Sequence, residues 1–105
     1  MHQIVTPRLT AQIKKEITSQ FKGYKFSVRR SAIGSMTGID IYILSAPYEM
    51  TERDHEQINQ FNMEKFYSGR KLLDIKKIYS ITRPHQIWAD ITIGKWDKPF
   101  QNTGA

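Results

Sequence analysis

Hydrophobic residues near the start of the chain recur at every fourth position, which is the spacing of one face of an amphipathic helix. The pattern predicts a helix over residues 7–22. Thr6 can cap its first free amides, and Pro7 suits the first helical position, where an amide hydrogen is not needed. Gly23 fits the position that follows such a helix. The apolar stripe consists of Leu9, Ile13, Ile17 and Phe21.

The pattern then changes to strict alternation, which is typical of strands with one buried face. It predicts a hairpin of two strands, residues 24–30 and 39–45, joined by a glycine-containing loop over 31–38 and ended by Pro47. Since one face of the hairpin must pack on the core, the other faces water. The outward positions of the first strand are Lys25, Ser27 and Arg29.

The middle of the chain predicts a second helix. Residues 51–54 read Thr-Glu-Arg-Asp, which resembles a capping box in which Asp54 reaches back to the cap amide. The helix is expected to run to residue 67, with Ile58 and Phe61 on its core side, and to be broken by Ser68 and Gly69.

Two further strands are expected after this helix. Residues 74–82 are rich in β-branched and aromatic side chains and precede Pro84, which favours a strand, although isoleucines at spacing three also fit a helix. Residues 86–95 alternate clearly and end at Gly94. The C-terminal residues 99–105 are expected to form a flexible tail.

The expected architecture is therefore α+β, in the order helix, strand, strand, helix, strand, strand. Each helix has one apolar stripe, so both helices should pack on one face of a four-stranded antiparallel sheet. The 105 residues are enough for a single domain, expected over residues 1–98.

Composition excludes several kinds of chemistry. The chain has no cysteine, which rules out disulfides, thiolate zinc sites and cysteine nucleophiles. Its three histidines lack ligand-like spacing, so we expect no metal, no cofactor and no catalytic motif. A ribonuclease toxin that uses Tyr79, Arg83 and His85 remains an alternative.

A formal net charge of +6 favours anionic partners, namely nucleic acid or an acidic protein surface. No apolar run is long enough to cross a membrane, and the N-terminus lacks the pattern of a secretory leader, so a cytoplasmic protein is expected. The oligomeric state is not encoded in these patterns. The candidate binding residues are Lys22, Lys25, Arg29, Arg30, Arg70, Lys71, Lys76 and Lys77.

The segment KFSVR at residues 25–29, followed by a glycine and serine loop, an Ile-x-Ile strand and a proline, resembles a known family. The family is the twenty-ninth large polyvalent protein-associated domain, and the resemblance covers about residues 9–47. The chain departs from the family pattern at Lys22, Tyr42 and Ala46. The resemblance implies an accessory role on a phage or conjugative element, and it supplies no catalytic residue.

These observations lead to three hypotheses. The first is a counter-defence protein, of the anti-CRISPR or anti-restriction type, that binds a host nucleoprotein complex stoichiometrically through the outer sheet face and the loop 31–38. Lys25, Arg29 and Arg30 would carry that contact. The second is a sequence-tolerant DNA- or RNA-binding module, and the third is the ribonuclease toxin.

Overall fold

The computed structural model describes residues 5–31, 38–51 and 56–104. The helices are α1 (Pro7–Gln20), α2 (Met63–Phe66) and α3 (Gly69–Thr82), and α3 continues into a 3-10 turn at Arg83–His85. The strands are β1 (Lys25–Arg30), β2 (Gly38–Ala46), β3 (Glu56–Ile58), β4 (Trp88–Ile93) and β5 (Gln101–Asn102).

The α+β class is confirmed, but the sheet is mixed rather than purely antiparallel. Its strand order is β1-β2-β4-β3, with β5 on β2 beyond the end of β4. β1 and β3 pair antiparallel with their neighbours, whereas β2 and β4 run parallel. A parallel pair needs a long crossover connection, and the segment that contains α3 supplies it.

The first helix and the hairpin are confirmed close to their predicted bounds. The Thr6 hydroxyl accepts a hydrogen bond from the Leu9 amide at 3.1 Å, so Thr6 caps α1. Gly23 follows the helix with φ +84°, a left-handed conformation that favours glycine. The strand predicted over residues 86–95 is also confirmed as β4, and Gly94 directly follows it.

The predicted helix over residues 51–67 is wrong. Glu56–Ile58 is β3, and among residues 56–67 only Met63–Phe66 is helical. Ile58 pairs with Ile91 of β4 and is buried, while Phe61 is 80% exposed and does not serve the core. Pairing with the sheet edge therefore outweighs the local helix signals of residues 56–58. The predicted cap at Asp54 lies outside the described residues.

The predicted strand over residues 74–82 is also wrong, because this segment is the C-terminal part of α3. Ser68 and Gly69 begin that helix instead of ending another one. Burial at spacings of three and four places one continuous stripe against the sheet, which outweighs the β-propensity of isoleucine and tyrosine. The buried residues of α3 are Ile75, Ile78, Tyr79 and Thr82.

The core lies between one face of the sheet and the two long helices, α1 and α3. Two helices on one face were predicted, but the second of them is α3 and not the predicted helix over residues 51–67. Three rows of side chains run across β2 and β4 in register, and every one of them is almost fully buried. Ile13 and Ile17 of α1 and Ile75 and Ile78 of α3 complete the same cluster. The rows are formed by Ile39 with Ala89, Ile41 with Ile91, and Ile43 with Ile93.

The predicted C-terminal tail contains a short strand. Gln101 and Asn102 pair with the end of β2, the Thr103 amide donates to the Ala46 carbonyl at 2.9 Å, and Phe100 packs against the core. Gly94, at φ +81°, turns the chain after β4 before it returns to the sheet.

Candidate binding surface

The positive charge of the chain is concentrated in α1 and β1. Residues 7–30 contain seven lysines and arginines and one glutamate, whereas the other residues contain nine of each sign. These 24 residues therefore hold the whole formal net charge of +6. All seven side chains are exposed, and we call them the α1–β1 basic surface: Arg8, Lys14, Lys15, Lys22, Lys25, Arg29 and Arg30.

The one carboxylate of this region is turned toward another element. His85 Nε2 lies 2.7 Å and 3.1 Å from the two carboxylate oxygens of Glu16. This contact ties α1 to the 3-10 turn that follows α3. Across the part of the chain that the structure describes, no carboxylate pairs with Lys22, Lys25 or Arg30.

The three residues of the ribonuclease hypothesis do not come together in the cavity that two of them line. Tyr79 and Arg83 line a cavity of about 140 Å³ whose lining does not include His85. The Tyr79 hydroxyl is buried, and burial, helped by the negative charge of Asp90, raises the pKa of Tyr79 to about 12. A phenol with this pKa is poorly suited to exchange protons near neutral pH.

Two of the predicted cations lie beside carboxylates. Lys71 forms an ion pair with Glu56, and its ammonium group lies 4.5 Å from the centre of the Tyr67 ring. Lys76 pairs with Glu64 at 2.6 Å, and its hydrogen bond lowers the pKa of that carboxyl group. Their positive charge is therefore compensated locally.

The other two predicted cations of α3 reach the corner where α1 leads into β1. The Arg70 guanidinium lies 4.2 Å from the centre of the Tyr48 ring and donates to the Tyr24 hydroxyl at 3.4 Å. Lys77 lies 5.2 Å from the Phe21 ring centre and donates to the Gln20 carbonyl at 3.5 Å. Both cations border the α1–β1 basic surface, although about fifty residues of chain separate them from it.

This corner is held by a tyrosine and aspartate cluster that the sequence did not reveal. One oxygen of Asp74 accepts hydrogen bonds from the hydroxyls of Tyr24 and Tyr48, both at 2.7 Å. Burial and these hydrogen bonds raise the pKa of both tyrosines. Tyr24 directly precedes β1, Tyr48 follows β2 by two residues, and Asp74 lies on α3, so no local sequence signal links the three.

The outward face of the sheet carries charges of both signs, because aspartates of β2 and β4 lie beside the predicted cations of β1. Arg29 lies opposite Asp40, and Asp40 lies beside Asp90 on β4. Burial and, second, Asp90 raise the pKa of Asp40, against the lowering effect of Arg29. Residues 32–37 of the predicted binding loop lie outside the described residues.

Aromatic side chains also lie on this outward face. The Lys95 ammonium is 5.1 Å from the centre of the Tyr42 ring. Trp88 donates its indole hydrogen to Asp90 at 3.2 Å, and its ring centre lies 5.8 Å from that of Phe61. The outward face of the sheet therefore presents aromatic rings next to charged side chains.

The fold and these surfaces define a small α+β module whose net positive charge lies in the segment from α1 to β1. Within residues 5–31, 38–51 and 56–104, no group of three or more metal-ligating side chains is assembled. The chain belongs to the family described as large polyvalent protein associated domain 29, whose model matches residues 4–87. The resemblance seen in the sequence is thus confirmed, and it extends through α3.

The match links the chain to the polyvalent proteins of phages and mobile elements, and it indicates no enzymatic family. No curated protein and no solved structure matches the chain. Among the described residues, none of the helices has the length and apolar character needed to span a bilayer.

Proposed function

We propose that this protein is a non-enzymatic accessory factor of a phage or other mobile element, which acts in the host cytoplasm by binding an anionic partner stoichiometrically. The partner that suits this role is a nucleoprotein complex of a host defence system, of the CRISPR or restriction type. The observation that carries the proposal is that residues 7–30, the segment from α1 to β1, hold the whole formal net charge.

The state of the individual cations supports this reading. Lys22, Lys25 and Arg30 are exposed, and no carboxylate among the described residues forms an ion pair with any of them. Lys25 and Arg30 lie on β1, and Lys22 lies in the turn between α1 and β1. The hydrogen bonds of Tyr24 and Tyr48 to Asp74 tie the end of this turn to α3. Concentrated positive charge on a firm scaffold accelerates association with a negatively charged complex and gives it specificity.

A defence assay tests the proposal. The chain is expressed in hosts that carry one CRISPR or restriction system each, and the plating efficiency of a targeted phage is measured. We expect protection to be lost in at least one of these hosts. Lys22→Glu combined with Lys25→Glu should restore protection, because the double variant reverses charge at the basic corner, whereas the matched exposed control Lys98→Glu should not.

Titration of the purified defence complex separates binding from catalysis. Stoichiometric inhibition ends at a fixed molar ratio of the two proteins, while an enzyme would inactivate an excess of the complex. The proposal fails if no system is inhibited, or if substoichiometric amounts inactivate the complex completely.

Direct binding of nucleic acid is the second candidate function, and the aromatic residues on the outward face of the sheet favour it. Tyr42 with Lys95, and Trp88 with Phe61, provide stacking surfaces of the kind that bind single-stranded bases. Asp40 and Asp90 on the same face oppose phosphate. Binding of single- and double-stranded oligonucleotides across a salt series decides between the two candidates. Each phosphate contact makes the logarithm of affinity fall with the logarithm of salt concentration, with a slope of about −0.9 for duplex DNA and about −0.7 for single strands.

A further inference from the structure

Strand β1 forms one edge of the sheet. It pairs with β2 from Lys25 to Arg30, and no strand among the described residues pairs with its other side. Exposed strand edges present unpaired backbone groups to which another chain can add.

The pairing geometry identifies which backbone groups point outward. The Ser31 amide donates to the Gly38 carbonyl at 2.9 Å, so these two residues form a hydrogen-bonded pair. Such pairs alternate with non-bonded pairs along an antiparallel ladder. Following the register, Arg29 and Ser27 also face β2, whereas the amides and carbonyls of Val28 and Arg30 face away from it.

The side chains of the same two residues line a groove beside this edge. The groove has a volume of about 430 Å³ and lies between α1 and β1. Val28 stands in the same row as Ile41 and Ile91, which are fully buried, yet it is only partly buried because the row opens at the edge of the sheet. The lining consists of Pro7, Thr10, Ala11, Lys14, Val28 and Arg30.

Charge selects the occupant of this groove. Lys14 and Arg30 stand at the groove, within the α1–β1 basic surface that holds the net charge. A second copy of β1 would bring Lys25, Arg29 and Arg30 against like charges, which disfavours self-pairing. An acidic strand would instead be attracted by the same cations. The outward amides and carbonyls of β1 can form hydrogen bonds with a polypeptide backbone, which a sugar-phosphate backbone does not match.

We propose that the edge of β1 and the groove between α1 and β1 bind an extended acidic segment of a partner protein, which adds to the sheet as a further strand. An apolar side chain of that segment packs on Val28 and Ala11, and its carboxylates meet Lys14 and Arg30. This inference rests on the proposed function, because it names the chemistry by which the anionic partner is held.

Selection from a library of random peptides displayed on phage, with the full chain as bait, tests the inference. The enriched peptides are synthesised, and their binding is measured by calorimetry. We expect net-acidic sequences in which apolar residues alternate with carboxylates. On binding, hydrogen exchange at the amides of Val28 and Arg30 should slow by about tenfold or more, because those amides gain acceptors.

Matched variants on α1 locate the site. Ala11→Phe fills the groove and should weaken peptide binding by about tenfold, whereas Gln12→Phe, one position away and outside the groove lining, should not. Lys14→Glu should weaken binding similarly, and the neighbouring Lys15→Glu should have a smaller effect. Cooperative urea unfolding of each variant shows that it is folded.

The inference is overturned if no peptide is enriched, if exchange at Val28 and Arg30 is unchanged, or if Ala11→Phe binds as the parent does. Protection of the same amides by oligothymidine instead of peptide would also overturn it. The two proposals fail separately. If inhibition requires Lys22 and Lys25 but is unaffected by Ala11→Phe, the groove proposal is wrong and the proposed function stands. If peptides bind the groove but no defence system is inhibited, the proposed function is wrong and the groove proposal stands.

Discussion

Asp40 occupies the middle of the outward sheet face, between Arg29 of β1 and Asp90 of β4. Two aspartates on neighbouring strands repel each other, while Arg29 attracts the nearer one. The pKa of Asp40 is raised on balance, because burial and Asp90 together outweigh Arg29. The ionised form of Asp40 is therefore less favourable in the folded chain than in the unfolded one.

This imbalance predicts the direction of a pH effect on stability. A carboxyl group whose pKa is raised on folding contributes its stability fully below its unfolded pKa, and that contribution is lost as the pH rises through the folded value. Asp40→Asn should therefore raise the free energy of unfolding at pH 7 by about 0.5 kcal/mol or less, since water screens this partly exposed site. The gain should disappear near pH 4, about the pKa of a free aspartate.

Urea unfolding of the parent and the variant between pH 4 and 7 measures this difference. Asp97→Asn, at an exposed position, controls for the loss of a carboxylate as such. A variant that is less stable than the parent at pH 7 would show that the attraction of Arg29 dominates at this site.

At the scale of elements, the return of the chain from β4 to β5 depends on a single glycine. Gly94 has φ +81°, and a Cβ atom placed there would lie 2.9 Å from the Phe100 amide nitrogen. Gly23, after α1, has nearly the same dihedral, φ +84°, but no atom lies within 4 Å of the corresponding Cβ position. A side chain at Gly23 would therefore meet backbone strain alone, whereas a side chain at Gly94 would meet both backbone strain and a steric clash.

Replacing each glycine by alanine should give different losses of stability. Gly23→Ala should cost about 1–2 kcal/mol from the left-handed conformation alone. Gly94→Ala should cost roughly 1–3 kcal/mol more, because Phe100 and β5 must move. Urea unfolding gives both values, and faster hydrogen exchange at the Thr103 amide should accompany only Gly94→Ala. Equal losses in the two variants would mean that the β4–β5 return adjusts without cost.

At the scale of the whole molecule, like charges accumulate in one segment of the chain, which runs from α1 to β1. Seven cations of residues 7–30 face a single carboxylate, which His85 engages, while the charges elsewhere balance. Repulsion among exposed cations opposes the compact state and is screened by salt, whose Debye length falls from about 30 Å at 0.01 M to about 8 Å at 0.15 M.

The parent protein should therefore gain stability, on the order of 1 kcal/mol, between these two salt concentrations. Lys15→Glu combined with Lys22→Glu should reduce the gain, because it removes repulsion within the α1–β1 basic surface. The control pair Lys65→Glu and Lys98→Glu lies in the balanced part of the chain and should retain the gain. Thermal unfolding at both salt concentrations checks this, and an unchanged salt response in the first pair would contradict it.

The sequence alone determined the elements whose signals are local. The fourfold repeat with Thr6 and Pro7 defines α1, and strict alternation defines β1, β2 and β4, because side-chain periodicity and capping act within a few residues. The family also follows from the segment around KFSVR. The identity of the candidate cations is likewise local information, since charge is a property of each residue.

Only the tertiary structure decided which pattern prevailed in the ambiguous segments and where each charge lies. Ile58 joins an edge strand because Ile91 is beside it, and residues 74–82 form a helix because the sheet buries a stripe at spacings of three and four. The same packing pairs Lys71 and Lys76 with carboxylates, and among the described residues it leaves the edge of β1 beside Lys14 without a neighbouring strand. These outcomes depend on contacts between residues far apart in sequence, which no local pattern encodes.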